Sequence, residues 1–110
     1  MAFDEMLGGR IRALLNGEPD VTEKRMFGGL AFLVGGNMAV VARGRGGLMV
    51  RVDPGETDSM LAEPGTAMAE MRGRPMRGWV TVAEVGYAKY ADLRRWIRRG
   101  VAAAHVAPKK

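Results

Sequence analysis

The 110 residues predict a two-layer α+β domain. Three observations predict it. A stretch near each end repeats apolar residues at three- and four-residue spacing. Between Leu30 and Val52, three apolar runs are separated by glycine-rich linkers. A capped short segment then leads to two further strand-like runs. The order is helix, three or four strands, short helix, two strands, long helix.

From Phe3 to Leu15 the residues Phe3, Met6, Leu7, Ile11, Leu14 and Leu15 trace one stripe of an amphipathic helix. Asp4 and Glu5 complement its dipole, and Asn16-Gly17 supplies the left-handed stop. Glu18-Pro19-Asp20 is a turn, and Val21 to Phe27 reads as a short strand broken at Gly28-Gly29. Paired glycines could cradle a phosphate, but this pair lacks the further glycines and lysine of a nucleotide loop. A bulge or a close backbone crossing is the simpler reading.

Leu30 to Val34, Met38 to Arg43 and Leu48 to Val52 form a meander with turns at Gly35-Gly36-Asn37 and Gly44 to Gly47. Alternation places Leu30, Phe32, Val34, Met38, Val40, Ala42, Leu48, Val50 and Val52 on a core face. The opposite face carries Ala31, Leu33, Ala39, Val41 and Met49, with only Arg43 and Arg51 polar. A solvated antiparallel face is mostly polar, so this one should be covered: by the chain's own terminal segments, by another subunit or by a ligand. If both long helices pack on the core face, the expected cover is a homodimer across Ala31, Leu33, Ala39, Val41 and Met49, with Arg43 and Arg51 at its rim.

Asp53-Pro54-Gly55-Glu56 opens a short helix running to about Leu61 and ended by Glu63-Pro64-Gly65. Asp53, Glu56 and Asp58 are close together, but capping explains two of the three, and no metal is implied. Thr66 to Met71 and Trp79 to Glu84 read as strands joined by a basic loop, Arg72 to Gly78. Tyr90 to Ala104 is the second long helix, with Leu93, Trp96, Ile97, Val101 and Ala104 on one side and Arg94, Arg95, Arg98 and Arg99 on the other. Gly100 inside it calls for close packing.

One domain fits this length, and it is long enough to bury a core without staples. The absence of cysteine excludes disulfides, thiolate metal sites and cysteine nucleophiles. There is neither a signal-like N-terminal pattern nor an apolar stretch near the ~20 residues that span a bilayer, so a cytoplasmic protein without a membrane partner is expected. The net charge of +5 rests on 13 arginines against 4 lysines. Arginine suits phosphate and carboxylate recognition; a GC-rich coding bias yields the same excess.

No catalytic constellation is visible. His105 stands in the last turn of the final helix and Ser59, the only serine, in the short capped one, with nothing to bring them together. Tyr87, Lys89 and Tyr90 cluster without a dinucleotide fingerprint. Neither a cofactor nor a catalytic residue is implied, although a small enzyme or ligand-binding domain with an unrecognised pocket stays open. Nucleic-acid binding through Arg72, Arg74, Arg77, Arg94, Arg95, Arg98 and Arg99 is the alternative function.

Lys24-Arg25-Met26-Phe27-Gly28-Gly29, the following Leu30 to Leu33, Gly36-Asn37-Met38, Leu48 to Val52, Arg74-Pro75-Met76-Arg77-Gly78-Trp79 and Leu93-x-x-Trp96 together resemble the N-terminal domain of the TfoX/Sxy family of bacterial competence regulators. The resemblance spans nearly the whole chain. It implies a five-stranded antiparallel sheet in an α-β3-α-β2-α order, similar to type III secretion chaperones. It also implies a non-enzymatic interaction module with a regulatory role in transcription through protein partners. In full-length regulators a second, helical domain follows, so what carries over is the fold and the expectation of a binding module.

Overall fold

The computed structural model describes residues 4–26 and 28–108. The expectations for Phe3, for Phe27 and for Lys109-Lys110 fall outside them. Helix α1 (Glu5–Leu14) is followed by strands β1 (Val21–Met26), β2 (Gly29–Val34), β3 (Asn37–Ala42) and β4 (Leu48–Arg51). Helix α2 (Thr57–Met60), strands β5 (Thr66–Met71) and β6 (Arg74–Val82) and helix α3 (Tyr90–Val106) complete the chain. Short 3-10 turns occupy Pro54–Glu56 and Glu84–Gly86. All the strands form one antiparallel sheet in the order β1-β2-β3-β4-β6-β5, so the α2 segment carries the chain across to its far edge.

The sheet has six strands where five were expected. The additional one is β1, which pairs with β2 from Val21↔Val34 to Met26↔Gly29. Thr22, Glu23, Lys24 and Arg25 are all exposed, as suits an edge, and they hide the alternation that marks an inner strand. The expected basic loop is also strand: only Arg72 and Gly73 turn, both at positive φ (55° and 78°), and β6 begins at Arg74. Pro75 is tolerated because β4 reaches only Trp79 to Val82 and leaves that part of β6 open on one side. The strand expected to reach Glu84 ends at Val82.

Local chemistry explains the element ends. Asp4 Oδ1 accepts the N–H groups of Met6 (2.9 Å) and Leu7 (3.2 Å) and caps α1. Asp53 Oδ1 accepts Gly55 N–H at 2.8 Å, and Thr57 Oγ1 donates to the Pro54 carbonyl at 3.1 Å. Gly35 and Gly36, at φ 60° and 87°, close the β2–β3 hairpin in two residues. A Cβ at Gly29 would lie 2.5 Å from the Ala42 carbonyl oxygen, so the glycine pair serves a close backbone crossing.

All three helices lie on one side of the sheet. Leu7, Ile11 and Leu15, Met60, and Leu93, Trp96 and Ile97 form one cluster with Phe32, Val40, Val50, Val80 and Val82. Complete burial of Phe32 or Leu93 stabilises by roughly 1.5–3 kcal/mol each.

Alternation through β3 does not run as the sequence suggests. The β2–β3 register slips at Phe32/Leu33, so that Phe32 faces Val40 but Leu33 faces Met38, leaving Ala39 as the extra residue of a bulge. Parity inverts before it. Met38, expected in the core, is half-buried opposite Leu33. Ala39, expected on the second face, is fully buried in the helix-side cluster. Asn37, expected in the turn, is 6 % exposed, and its Nδ2 donates to the carbonyl oxygens of Ala104 (3.1 Å) and Ala107 (3.2 Å) at the end of α3.

Above the bulge, α3 comes down at Gly100, where a Cβ would lie 2.7 Å from the Ala39 oxygen and 2.6 Å from Val40 Cγ1. Gly100→Ala should therefore lower the melting temperature. Overpacking costs about 1–3 kcal/mol against the ~1 kcal/mol that alanine gains in a helix, and a backbone carbonyl cannot turn aside. A raised melting temperature would show that α3 can shift. Asn37→Asp should destabilise at neutral pH by about 1–3 kcal/mol, because a carboxylate replaces the donor facing two carbonyls. Its folded pKa is then raised above the unfolded value, so the loss shrinks as pH falls through that raised value; chemical denaturation at pH 7 and pH 4 reads the sign.

Candidate functional site

Ser59 and His105, the two groups weighed as nucleophile and base, are engaged elsewhere. Ser59 Oγ donates to the Glu56 carbonyl at 2.9 Å, and His105 Nε2 lies 3.1 Å from Glu18 Oε2. Tyr87 is buried behind α1, where desolvation first and the Glu84 charge second push its hydroxyl pKa up, while Tyr90 is exposed. Among the described residues no three His, Asp or Glu are grouped as a metal would need, and no helix is long and apolar enough to cross a membrane. A groove of about 480 Å³ between the end of α1 and α3 is lined by Leu14, Glu18, Arg94, Arg98 and His105, and its acid and histidine are already paired with each other.

The seven arginines expected to form one phosphate-binding surface fall in three places. Arg94, Arg95, Arg98 and Arg99 flank a shallow groove along α3 with Tyr90. Two of them are committed: Arg95 pairs with Asp92 (2.9 Å) and Glu63 (3.2 Å), and Arg99 pairs with Glu63 (2.8 Å) while lying 4.6 Å above the Trp96 ring. Arg94 and Arg98 are exposed and have no ion-pair partner among the described residues. Arg72 and Arg74 stand at the β5–β6 hairpin tip. Arg77 lines a cleft with Arg51, Trp79 and Val106 at the other end of α3.

The helix-free face of the sheet gathers more. One cross-strand row runs Lys24, Ala31, Val41, Met49, Thr81, Ala67 through all six strands. The next holds Thr22, Leu33 and Met38, and it is closed by Arg51 and Trp79, which are cross-strand partners on β4 and β6. Arg51 Nε donates to the Met38 carbonyl at 2.6 Å, satisfying an oxygen beside the bulge, and the guanidinium lies 4.7 Å over the Trp79 ring. Burial holds the Arg51 pKa below its usual value. Of the five side chains expected here, Ala31, Leu33, Val41 and Met49 are present and Ala39 is not. Ala31 (0 % exposed) and Val41 (6 %) are shielded by their neighbours, while Leu33, Met38, Met49 and Trp79 are half-buried. Trp79, Met38 and Thr81 were missed as members of this face. Alternation from Met49 could have found Trp79 and Thr81 only once β4 and β6 were known to be neighbours.

A family model described as the TfoX N-terminal domain matches residues 13–104, from the last two residues of α1 through most of α3. No curated protein matches the chain.

The split of the arginines sets a measurable limit on nucleic-acid binding. A duplex titrated against the protein at several salt concentrations should give a log–log slope of about −2, set by Arg94 and Arg98, rather than the roughly −6 that seven phosphate contacts would give. Arg94→Gln with Arg98→Gln should flatten the slope. A steep slope in that double variant would show that the three groups act together.

Proposed function

The chain belongs to the TfoX N-terminal domain family, and we propose on that footing that it is a non-enzymatic module of a competence-regulator type, acting on transcription through protein partners. The observation that carries this reading is the helix-free sheet face. Leu33, Met38 and Met49 make an apolar floor around the shielded Val41, bounded by Trp79 and Arg51, and none of these four floor residues belongs to the helix-side cluster among the described residues. Contiguous apolar surface on a folded domain marks an interaction site. The candidate nucleophile and base are each engaged elsewhere, which favours binding over catalysis.

Leu33→Lys with Met49→Lys places two charges on the floor at half-buried positions that can reach water. In a strain lacking the gene, the wild-type protein should restore the changed transcript levels and the Arg94→Gln/Arg98→Gln variant should do so too. The floor variant, shown by circular dichroism to be folded, should behave as the deletion. Unchanged transcripts on deletion, or full rescue by the floor variant, would defeat the proposal. So would turnover of a screened substrate that a single substitution abolishes.

A further inference from the structure

The ion pairs of this domain lie on its helical side. Glu23 projects towards α1 and pairs with Arg12 at 2.6 Å, which lowers the carboxyl's pKa; Glu63 holds Arg95 and Arg99, and Glu18 faces His105. Asp4 and Asp53 are caps. These paired and capping carboxylates lie in the helical layer, at its turns, or on the side of the sheet that faces it. Three cations stand on the opposite face. Lys24 opens the central row, Arg43 continues the alternation of Val41 past the end of β3, and Arg51 closes the second row over Trp79. Among the described residues none of the three has a carboxylate partner.

From this arrangement we infer that the helix-free face binds an acidic amphipathic helix of a partner protein, with its apolar stripe on Leu33, Met38 and Met49 and its carboxylates on Lys24, Arg43 and Arg51. The inference rests on the reading of the chain as an interaction module. A helix is the natural second cover for this sheet, since helices already cover its other side and apolar residues at i, i+3, i+4 and i+7 fit an unbroken floor. Inner strands of four to six residues span about 13–20 Å, which three or so turns of helix match. The methionines adapt to the side chains laid on them. A second copy of this chain would bring the same three cations to the seam. A nucleic acid would find one ring, Trp79, on a floor that is otherwise aliphatic and thioether.

The test uses two synthetic helical peptides of about sixteen residues. They share a leucine stripe and differ only in the flanking positions, glutamate in one and lysine in the other. Fluorescence anisotropy with the full chain should show the glutamate peptide binding at least about tenfold tighter, weakening as salt rises. Lys24→Glu with Arg43→Glu should abolish or invert that preference, and Met49→Lys should remove binding of both peptides. Equal binding of the two peptides, or glutamate-peptide binding that survives both sets of variants, overturns the inference. So does sedimentation as a dimer whose formation excludes the peptide, or displacement of the peptide by a short duplex at equal concentration. If the peptide fails while the floor variant still loses transcript rescue, the acidic helix is wrong and the interaction module stands; if neither effect is seen, both fall.

Discussion

The structure depends on one bulge. An ordinary β3 would send Met38 into the core and turn Asn37 out to the free face. The extra residue at Ala39 reverses this: it brings Asn37 under the last turn of α3, where its amide satisfies two carbonyls that the helix end leaves open. It also presents the Ala39 carbonyl to Gly100, the one position where a helix without a Cβ can come that close. Helix α3 is thereby held at two points along β3. Its stripe of Leu93, Trp96 and Ile97 is aimed at Phe32, Val40 and Val50, and α1 closes the same layer.

Two of the four arginines of α3 are drawn into the same layer. Exposed ion pairs stabilise little, so the Glu63 pairs with Arg95 and Arg99 matter less for energy than for direction. They tie the segment after α2 to the helix and consume half of the cationic ridge. Arg99 lies against the Trp96 ring, a contact that favours guanidinium over ammonium. What remains for a polyanion on this side is Arg94 and Arg98.

How much of this was legible in the sequence follows from the physics of each signal. The two long helices and the inner strands β2, β3 and β4 are spelled out by periodicity and by glycines that only a turn or a crossing needs, and the resemblance through Met26, Gly28-Gly29 and Leu93-x-x-Trp96 agrees with the family match. Strand β1 was seen only as a short lead-in, because this edge strand is charged on both faces. The first half of β6 was taken for a loop because arginine, proline and glycine are the residues of loops, and only the left-handed Arg72-Gly73 pair shows a two-residue hairpin. A bulge leaves almost no trace in composition, so the face of Ala39 was misread while that of Ala31, on the neighbouring strand, was not. Arg51 and Trp79 are 28 positions apart, and their contact depends on β6 lying beside β4, a neighbourhood that chain order conceals.

An antiparallel sheet can recruit a partner along its edges or across its face, and here the edges are poor. On β1 Glu23, Lys24 and Arg25 stand in succession, and a strand added there would have to lie against three charged residues. The β5 edge is broken by a register shift between Met68 and Glu70, which interrupts the row of backbone groups an added strand would need. The face has the opposite character. Its centre is kept low by Ala31 and Val41, small enough to be sealed by their neighbours, so the domain holds a continuous apolar floor without exposing a large side chain there. Binding across such a floor costs little ordering of the domain itself, because Arg51 is already fixed by the Met38 carbonyl and the Trp79 ring. Preorganised in this way, the face suits the proposed partner better than either edge does.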